Sequence, residues 1–323
     1  MNTTSFNTIN EQYLQHTLRD SFTCVGRGLH TGLRVIMTLM PAEVGSGIVF
    51  YRRDVTHNRA EVHARWNTVT DTRMSTTISN NSGTCISTIE HLMAALHSCG
   101  IDNARIVIDA PEVPIMDGSA GPFVELIQKI GKTPQDAPRQ SIVITKPISI
   151  REGEKFAGLE PFRTPYVNID IHFSQSPIGH QKFSGEINEK QFAQELASAR
   201  TFGFKDQIAT MKKLGLARGG SIRNAVLIDD GKVLNQEGLR YNNEFARHKA
   251  LDAVGDLSLL GVPIIGKFSG RCSGHKLNNA LLHELMLNES CWLYTTQKNA
   301  HENWPSIIES ANSALASNYQ INF

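Results

Sequence analysis

The chain has no apolar run approaching the ~20 residues that a membrane-spanning helix needs. Its first residues, MNTTSFNTINEQYLQHTLRD, are polar and carry no apolar secretion core, so a cytoplasmic protein without a transmembrane segment is expected. Cysteine is sparse. Cys24, Cys85, Cys99, Cys272 and Cys291 make an odd number at irregular spacing, and no Cys-x-x-Cys occurs. That excludes a disulfide framework and a thiolate zinc site, and leaves free thiols in a reducing compartment. Charge of one sign is also missing: the net charge is +1, and no basic run is interleaved with aromatics. A nucleic-acid partner is therefore not expected. There is no phosphate-binding P-loop. GRGLHTG (26–32) has the glycines of a dinucleotide loop, but at the wrong spacing, and it leads into the strand-like LRVIMTLMP rather than a helix.

What is present is an ordinary globular composition over 323 residues, enough for two domains. Residues 1–16 read as a loose leader. Strand-like segments (LRDSFTCVGRGLH, LRVIMTLMP, GIVFYRR) precede a helical pattern over 87–99, where Ile89, Leu92, Met93 and Leu96 form one stripe. Ser87 or Thr88 can cap that helix and Gly100 can end it. The strand ARIVIDA and the helix PFVELIQKIG complete a first α+β domain, 17–134. The Pro, Gly and polar stretch 131–141 reads as a linker. A second domain, 140–300, restarts with the strands SIVITKPISIR, KFAGLEP and YVNIDIHF. Helices follow at 188–199, 206–216, 243–259 and 276–288, with the strands NAVLIDD and PIIGKFSG between them. Residues 301–323 form a tail. Strands first and helices after, in each half, point to two α+β domains. No internal sequence repeat is visible.

Three places carry candidate chemistry. On a helix over 243–259, His248, Asp252 and Asp256 fall one turn apart on one face. An imidazole and a carboxylate so placed can hold a divalent ion, but a catalytic zinc usually takes three protein ligands. A solvated, ion-paired face beside Arg247 and Lys249 is the alternative. Glu90–His91 lies inside the first amphipathic helix. Either both side chains meet solvent at the helix start, or His91 is a ligand and Glu90 a general base. His275 follows Gly274 at a helix start and can serve as a charged acid if a carboxylate such as Asp256 supports it.

Nine separated segments together resemble the UDP-3-O-acyl-N-acetylglucosamine deacetylases of lipid A biosynthesis. They are GLHTG (28–32), STIEHLMAAL (87–96), GIDN (100–103), PIMDGSAGPF (114–123), ARTFGF (199–204), LARGGS (216–221), VLNQEGLRY (233–241), RHKALDAVGDL (247–257) and SGHKLNNAL (273–281). The resemblance implies one catalytic Zn²⁺ on His91, His248 and Asp252, and Fe²⁺ suits two imidazoles and a carboxylate as well. It implies Glu90 as general base, His275 with Asp256 beside it as the cationic partner, and Thr201 as support for the oxyanion. Lys249, Phe202, Gly220 and Ser221 are implied at the substrate. Phe173 is a weaker match for an aromatic that meets the uracil, because HFSQSP differs locally.

The implied fold is two α+β domains with helices packed between two sheets. An inserted β-α-β piece including Leu214–Ile228 is expected to form an acyl passage, with Ile222, Ala225, Val226 and Leu227 as lining, although ordinary core packing accounts for such residues equally well. The implied reaction removes the N-acetyl group of UDP-3-O-(3-hydroxyacyl)-N-acetylglucosamine as acetate, by a monomer. A non-catalytic nucleotide-sugar binder and a metal-dependent deacetylase of another N-acetyl substrate are the alternatives. The leader, the segment 205–224 and the tail depart from the family's pattern.

Overall fold

The computed structural model describes residues 11–173 and 178–319. The architecture is α+β, with two five-stranded sheets that share one topology. In the first, the order is 22–27, 34–41, 104–108, 48–52, 61–63. In the second it is 148–152, 155–160, 267–271, 166–173, 179–186. In both, the strand that is last in sequence enters the middle, antiparallel to the second strand and parallel to the third. The similar element order of the two halves thus corresponds to a repeated fold that the residues themselves do not advertise.

Alternation builds the sheets. In Arg34–Pro41, Val35, Met37 and Leu39 are fully buried, and in Tyr166–Phe173, Val167, Ile169 and Ile171 are. Each such side chain contributes roughly 1.5–3 kcal/mol on leaving water.

The helices are α1 (Glu90–Ser98), α2 (Gly121–Ile130), α3 (Glu189–Glu195), α4 (Lys205–Lys213), α5 (Glu244–Ser258), α6 (His275–Leu287) and α7 (Gln297–Tyr319). α5 lies against strands Tyr166–Phe173 and Gly179–Glu186 on one side and against α1 on the other. α1 and α5 come from different halves. They approach so closely at Gly255 that a Cβ there would collide with the Glu90 carbonyl oxygen. Most buried apolar residues of both halves form one continuous cluster, with Val143, Ile265 and Ala300 in a second, smaller one.

Several expectations are corrected. The stretch 131–141 is not an open linker. Lys132–Pro138 is a strand antiparallel to Leu14–Leu18, with Leu18 opposite Lys132 and Leu14 opposite Pro138. Its prolines are tolerated because this pair has only two strands, so each strand has a free edge. For the same reason the leader does not extend to residue 16. Glu11–Tyr13 is a 3₁₀ turn, His16 and Thr17 are buried, and the His16 N–H donates to Asp102 at 2.9 Å. Residues 1–10 lie outside the described residues. The expected boundary at 300/301 falls inside α7. This helix follows a strand, Trp292–Thr296, paired with Gln140–Ile144, and it kinks at Asn303 two residues before Pro305.

The segment 202–233 forms a separate three-stranded sheet. Phe202–Phe204 runs parallel to Val226–Asp229 and α4 connects them, a β-α-β unit at the place expected for the insertion. Val226 is 0% exposed and therefore serves as core, whereas Ile222 is 46% exposed. No helix among the described residues is long and apolar enough to cross a membrane.

Candidate metal centre

α5 buries a row of ionisable residues. Glu244, His248, Asp252 and Asp256 are each no more than 3% exposed and stand at four-residue intervals. Burying such groups unpaired costs several kcal/mol each. The structure therefore has to supply partners, and it does so from four other segments.

His248 donates from Nδ1 to the Ala199 carbonyl at 3.0 Å. That bond fixes the tautomer and leaves the Nε2 lone pair free. His91, the second residue of α1, meets His248 edge-on, with ring centroids 4.9 Å apart and planes at 83°. Asp252 Oδ1 lies 3.5 Å from His91 Nε2 and 3.4 Å from His248 Nε2. Asp252 Oδ2 accepts from Lys249 Nζ at 2.7 Å, whereas Oδ1 is buried with no hydrogen-bond partner. An orphaned carboxylate oxygen facing two imidazoles is the donor set of a divalent cation. Ligand atoms of His91, His248 and Asp252 all lie within 4.8 Å of one another, the one such group among the described residues.

Burial pushes the His248 imidazole down to about 3, so it is neutral, as a ligand must be. Burial opposes the charge of Asp252, but the Lys249 ammonium 2.7 Å away holds its carboxyl well below the ordinary range. Burial also opposes the Lys249 ammonium, which Asp252 nevertheless keeps above its usual value.

Glu90 opens α1 and is 3% exposed, which rules out the solvent-facing alternative for the Glu90–His91 pair. One oxygen accepts the Thr76 N–H at 3.0 Å, and the other lies 3.9 Å from His275 Nε2. Burial raises the Glu90 carboxyl above its ordinary value, while His275 and His91 pull the other way. His275, the first residue of α6, bonds Asp256 through Nδ1 at 2.9 Å. Burial alone would lower this imidazole, but Asp256 pushes it up to about 9. Asp256 is steadied in turn by Thr76 Oγ1 at 2.6 Å and Asn278 Nδ2 at 2.9 Å. A carboxyl and a cationic imidazole thus stand beside the three-ligand cluster, able to take and to give a proton.

Phe202 stacks edge-on against Phe245 at 4.9 Å and meets His248 at 6.2 Å and Phe173 at 6.0 Å. Lys249 Nζ stands 5.8 Å from the Phe202 ring centre. Phe202, Phe173 and Lys249 therefore form an aromatic and cationic margin on the His248 side. Thr201, half-buried, lies between Ala199 and Phe202 in sequence, and its N–H donates to the Gly118 carbonyl at 2.8 Å. Gly220 and Ser221 lie in the loop that follows α4. Their loop docks on GLHTG through Arg218 N–H to His30 O at 3.1 Å and Gly219 N–H to Leu29 O at 3.0 Å.

The expected cap of α1 is not made. The Thr88 hydroxyl turns instead to Glu112 at 3.0 Å, and Thr88 sits at φ 56°. Glu112, 0% exposed, also accepts from the N–H groups of His30 and Thr31 and from the Thr31 hydroxyl, at 2.6–2.8 Å. A fully buried carboxylate that collects four donors outcompetes one helix N–H for the hydroxyl. Sequence reasoning missed Glu112, and no periodicity marks it. It missed Thr76 for the same reason. Glu244 was findable, because it extends the four-residue series of 248, 252 and 256 by one turn.

A model of the UDP-3-O-acyl N-acetylglycosamine deacetylase family matches residues 15–287. The chain is 46% identical over 280 residues to the UDP-3-O-acyl-N-acetylglucosamine deacetylase of Acidithiobacillus ferrooxidans, covering 86% of this chain and 91% of that protein. It is 44% identical over 282 residues to the protein of the same name from Phenylobacterium zucineum, covering 87% and 96%. A Geobacter relative, again of that name, is 47% identical over 278 residues, covering 86% and 90%.

Proposed function

The chain belongs to the UDP-3-O-acyl N-acetylglycosamine deacetylase family, and from that membership we propose how its buried cluster carries out the reaction. The enzyme hydrolyses the amide of UDP-3-O-(3-hydroxyacyl)-N-acetylglucosamine and releases acetate, a step of lipid A biosynthesis. His91, His248 and Asp252 hold one divalent metal ion, which we assign as zinc, with iron(II) suited to the same donors. The observation that carries the reading is the unpartnered Asp252 Oδ1 between two imidazoles, flanked by Glu90 and His275.

The bound ion supplies Lewis acidity towards the amide carbonyl and towards water. Glu90 takes the proton of the attacking water. Its raised carboxyl is a stronger base than an ordinary one, and desolvation inside the fold is the cause. His275, held as imidazolium by Asp256, stabilises the negative charge that develops and donates to the departing amine. Thr201 supports the oxyanion. Lys249 helps to anchor the polar part of the substrate, and Phe202 and Phe173 present ring faces to the sugar and the base. Gly220 and Ser221, together with the β-α-β unit, bound the acyl side. A cytoplasmic, monomeric enzyme of two α+β domains belongs to the same proposal.

The test is hydrolysis of the acylated nucleotide sugar before and after chelation, followed by zinc or iron(II) readdition. Loss on chelation and recovery with a single equivalent of metal is expected. Full activity in metal-free protein would sink the reading.

A further inference from the structure

Arg200 is the largest almost wholly buried side chain among the described residues, at 2% exposure. Its guanidinium donates to Glu244 Oε1 at 2.9 Å, to Glu237 Oε1 at 2.6 Å and to the Gly238 carbonyl at 2.7 Å. Its backbone N–H donates to Glu244 Oε1 at 3.0 Å. Glu244, 0% exposed, is the first residue of α5, and its second oxygen accepts the Arg240 N–H at 2.6 Å. One carboxylate therefore ties α5 to both the backbone and the side chain of Arg200.

The neighbour of Arg200 is Ala199, whose carbonyl accepts the His248 Nδ1–H at 3.0 Å, and His248 lies one turn beyond Glu244 on the same helix. Ala199 and Arg200 belong to no helix or strand, so no ladder or helix hydrogen bonding holds that carbonyl in place. Its own peptide is held by the Arg200 N–H bond to Glu244, while Ala199 N–H to Leu196 O at 2.9 Å and Thr201 N–H to Gly118 O at 2.8 Å hold the peptides on either side. A buried ion pair adds little net stability compared with an apolar pair of the same shape, because both charges must be desolvated. Its directional bonds define a geometry instead.

We propose that the Arg200–Glu244 pair is a positioning device for His248: by fixing the Ala199 carbonyl it sets the tautomer and the aim of the His248 ring, and through them the metal affinity of the site. This inference rests on the metal reading above. Arg200 and Glu244 are positioning residues, since their bonds run to the protein and not to the three-ligand cluster.

The test is metal binding by apo-protein, read without activity. Zinc affinity is measured by chelator competition, and the ligand field by the visible spectrum of the cobalt(II) form. Arg200→Lys keeps the charge but loses the fork, and Glu244→Ala removes the acceptor. Each is expected to bind zinc about 10- to 100-fold more weakly, with an altered cobalt spectrum. Glu244→Gln keeps an oxygen for the Arg200 N–H and should fall between Glu244→Ala and wild type; it carries the test if the other two do not fold. Leu39→Ala, in the first sheet, is the control for general destabilisation and should lower the melting temperature while leaving affinity and spectrum as in wild type. Wild-type affinity and spectrum in Arg200→Lys or Glu244→Gln, with only the melting temperature lowered, would show the pair to be a fold element and overturn the proposal. If wild-type protein takes up no equivalent of cobalt, the metal reading itself fails, and this inference with it.

Discussion

His275 Nδ1 stands 2.9 Å from Asp256 Oδ2, in a pocket where both residues are almost fully buried. That bond carries His275 up to about 9, so at neutral pH the ring is an imidazolium facing Glu90. Activity should fall on the alkaline side as His275 loses its proton near that value, and on the acid side as Glu90 gains one. The expected profile of kcat/KM against pH is a bell. Asp256→Asn removes the charge that raises His275, so the alkaline limb should move to lower pH and narrow the bell. An alkaline limb unmoved in that variant would separate it from His275. A single ionisation in both wild type and Glu90→Ala would remove Glu90 as the base.

His91 is the ligand contributed by the first half of the chain. His91→Ala should lose stoichiometric zinc and activity together, because the two remaining donors, His248 and Asp252, are too few for a tight site. Metal analysis after dialysis checks it. Full zinc occupancy in the variant would exclude His91 from the ligand set.

Gly255 lets α5 press on α1 at the Glu90 carbonyl. Gly255→Ala would gain helix propensity of up to about 1 kcal/mol at an open site. Here the collision is with backbone of the neighbouring helix, and overpacking costs about 1–3 kcal/mol. A lowered melting temperature is expected, with kcat reduced further than stability alone explains because Glu90 is displaced. A stabilised, fully active variant would contradict the close approach.

Under the proposed function the β-α-β unit of 202–233 bounds the acyl side, which a deacetylase of simpler sugars would not need. The acylated nucleotide sugar should be hydrolysed much faster than unacylated UDP-N-acetylglucosamine. Equal kcat/KM for the two would reject the assigned substrate.

Much of the site was legible along the chain. His248, Asp252 and Asp256 share a helix face by spacing alone, and the 3.6-residue repeat settles that wherever the helix goes. The strands read from alternation, such as those carrying Val35, Met37 and Leu39, appear in the sheets because a period of two buries one face. The linker reading of 131–141 failed for a physical reason. Proline and glycine report local backbone restriction, whereas the strand Lys132–Pro138 exists because Leu14–Leu18 lies alongside it. The capping of α1 failed likewise, since Thr88 found a buried carboxylate 24 residues away.

The sequence by itself determined the local periods, the absence of a membrane-length apolar helix and a set of motif residues with the right chemistry. Only the tertiary structure decided which of those residues meet. It brought His91 on α1 to His248 and Asp252 on α5, left the Asp252 oxygen between them without a hydrogen-bond partner, and joined Arg200 to Glu244. The physical reason is that these pairings join residues far apart in the chain. They are specified by sheet order and by the close crossing of two helices, whereas local propensity reaches only a few residues.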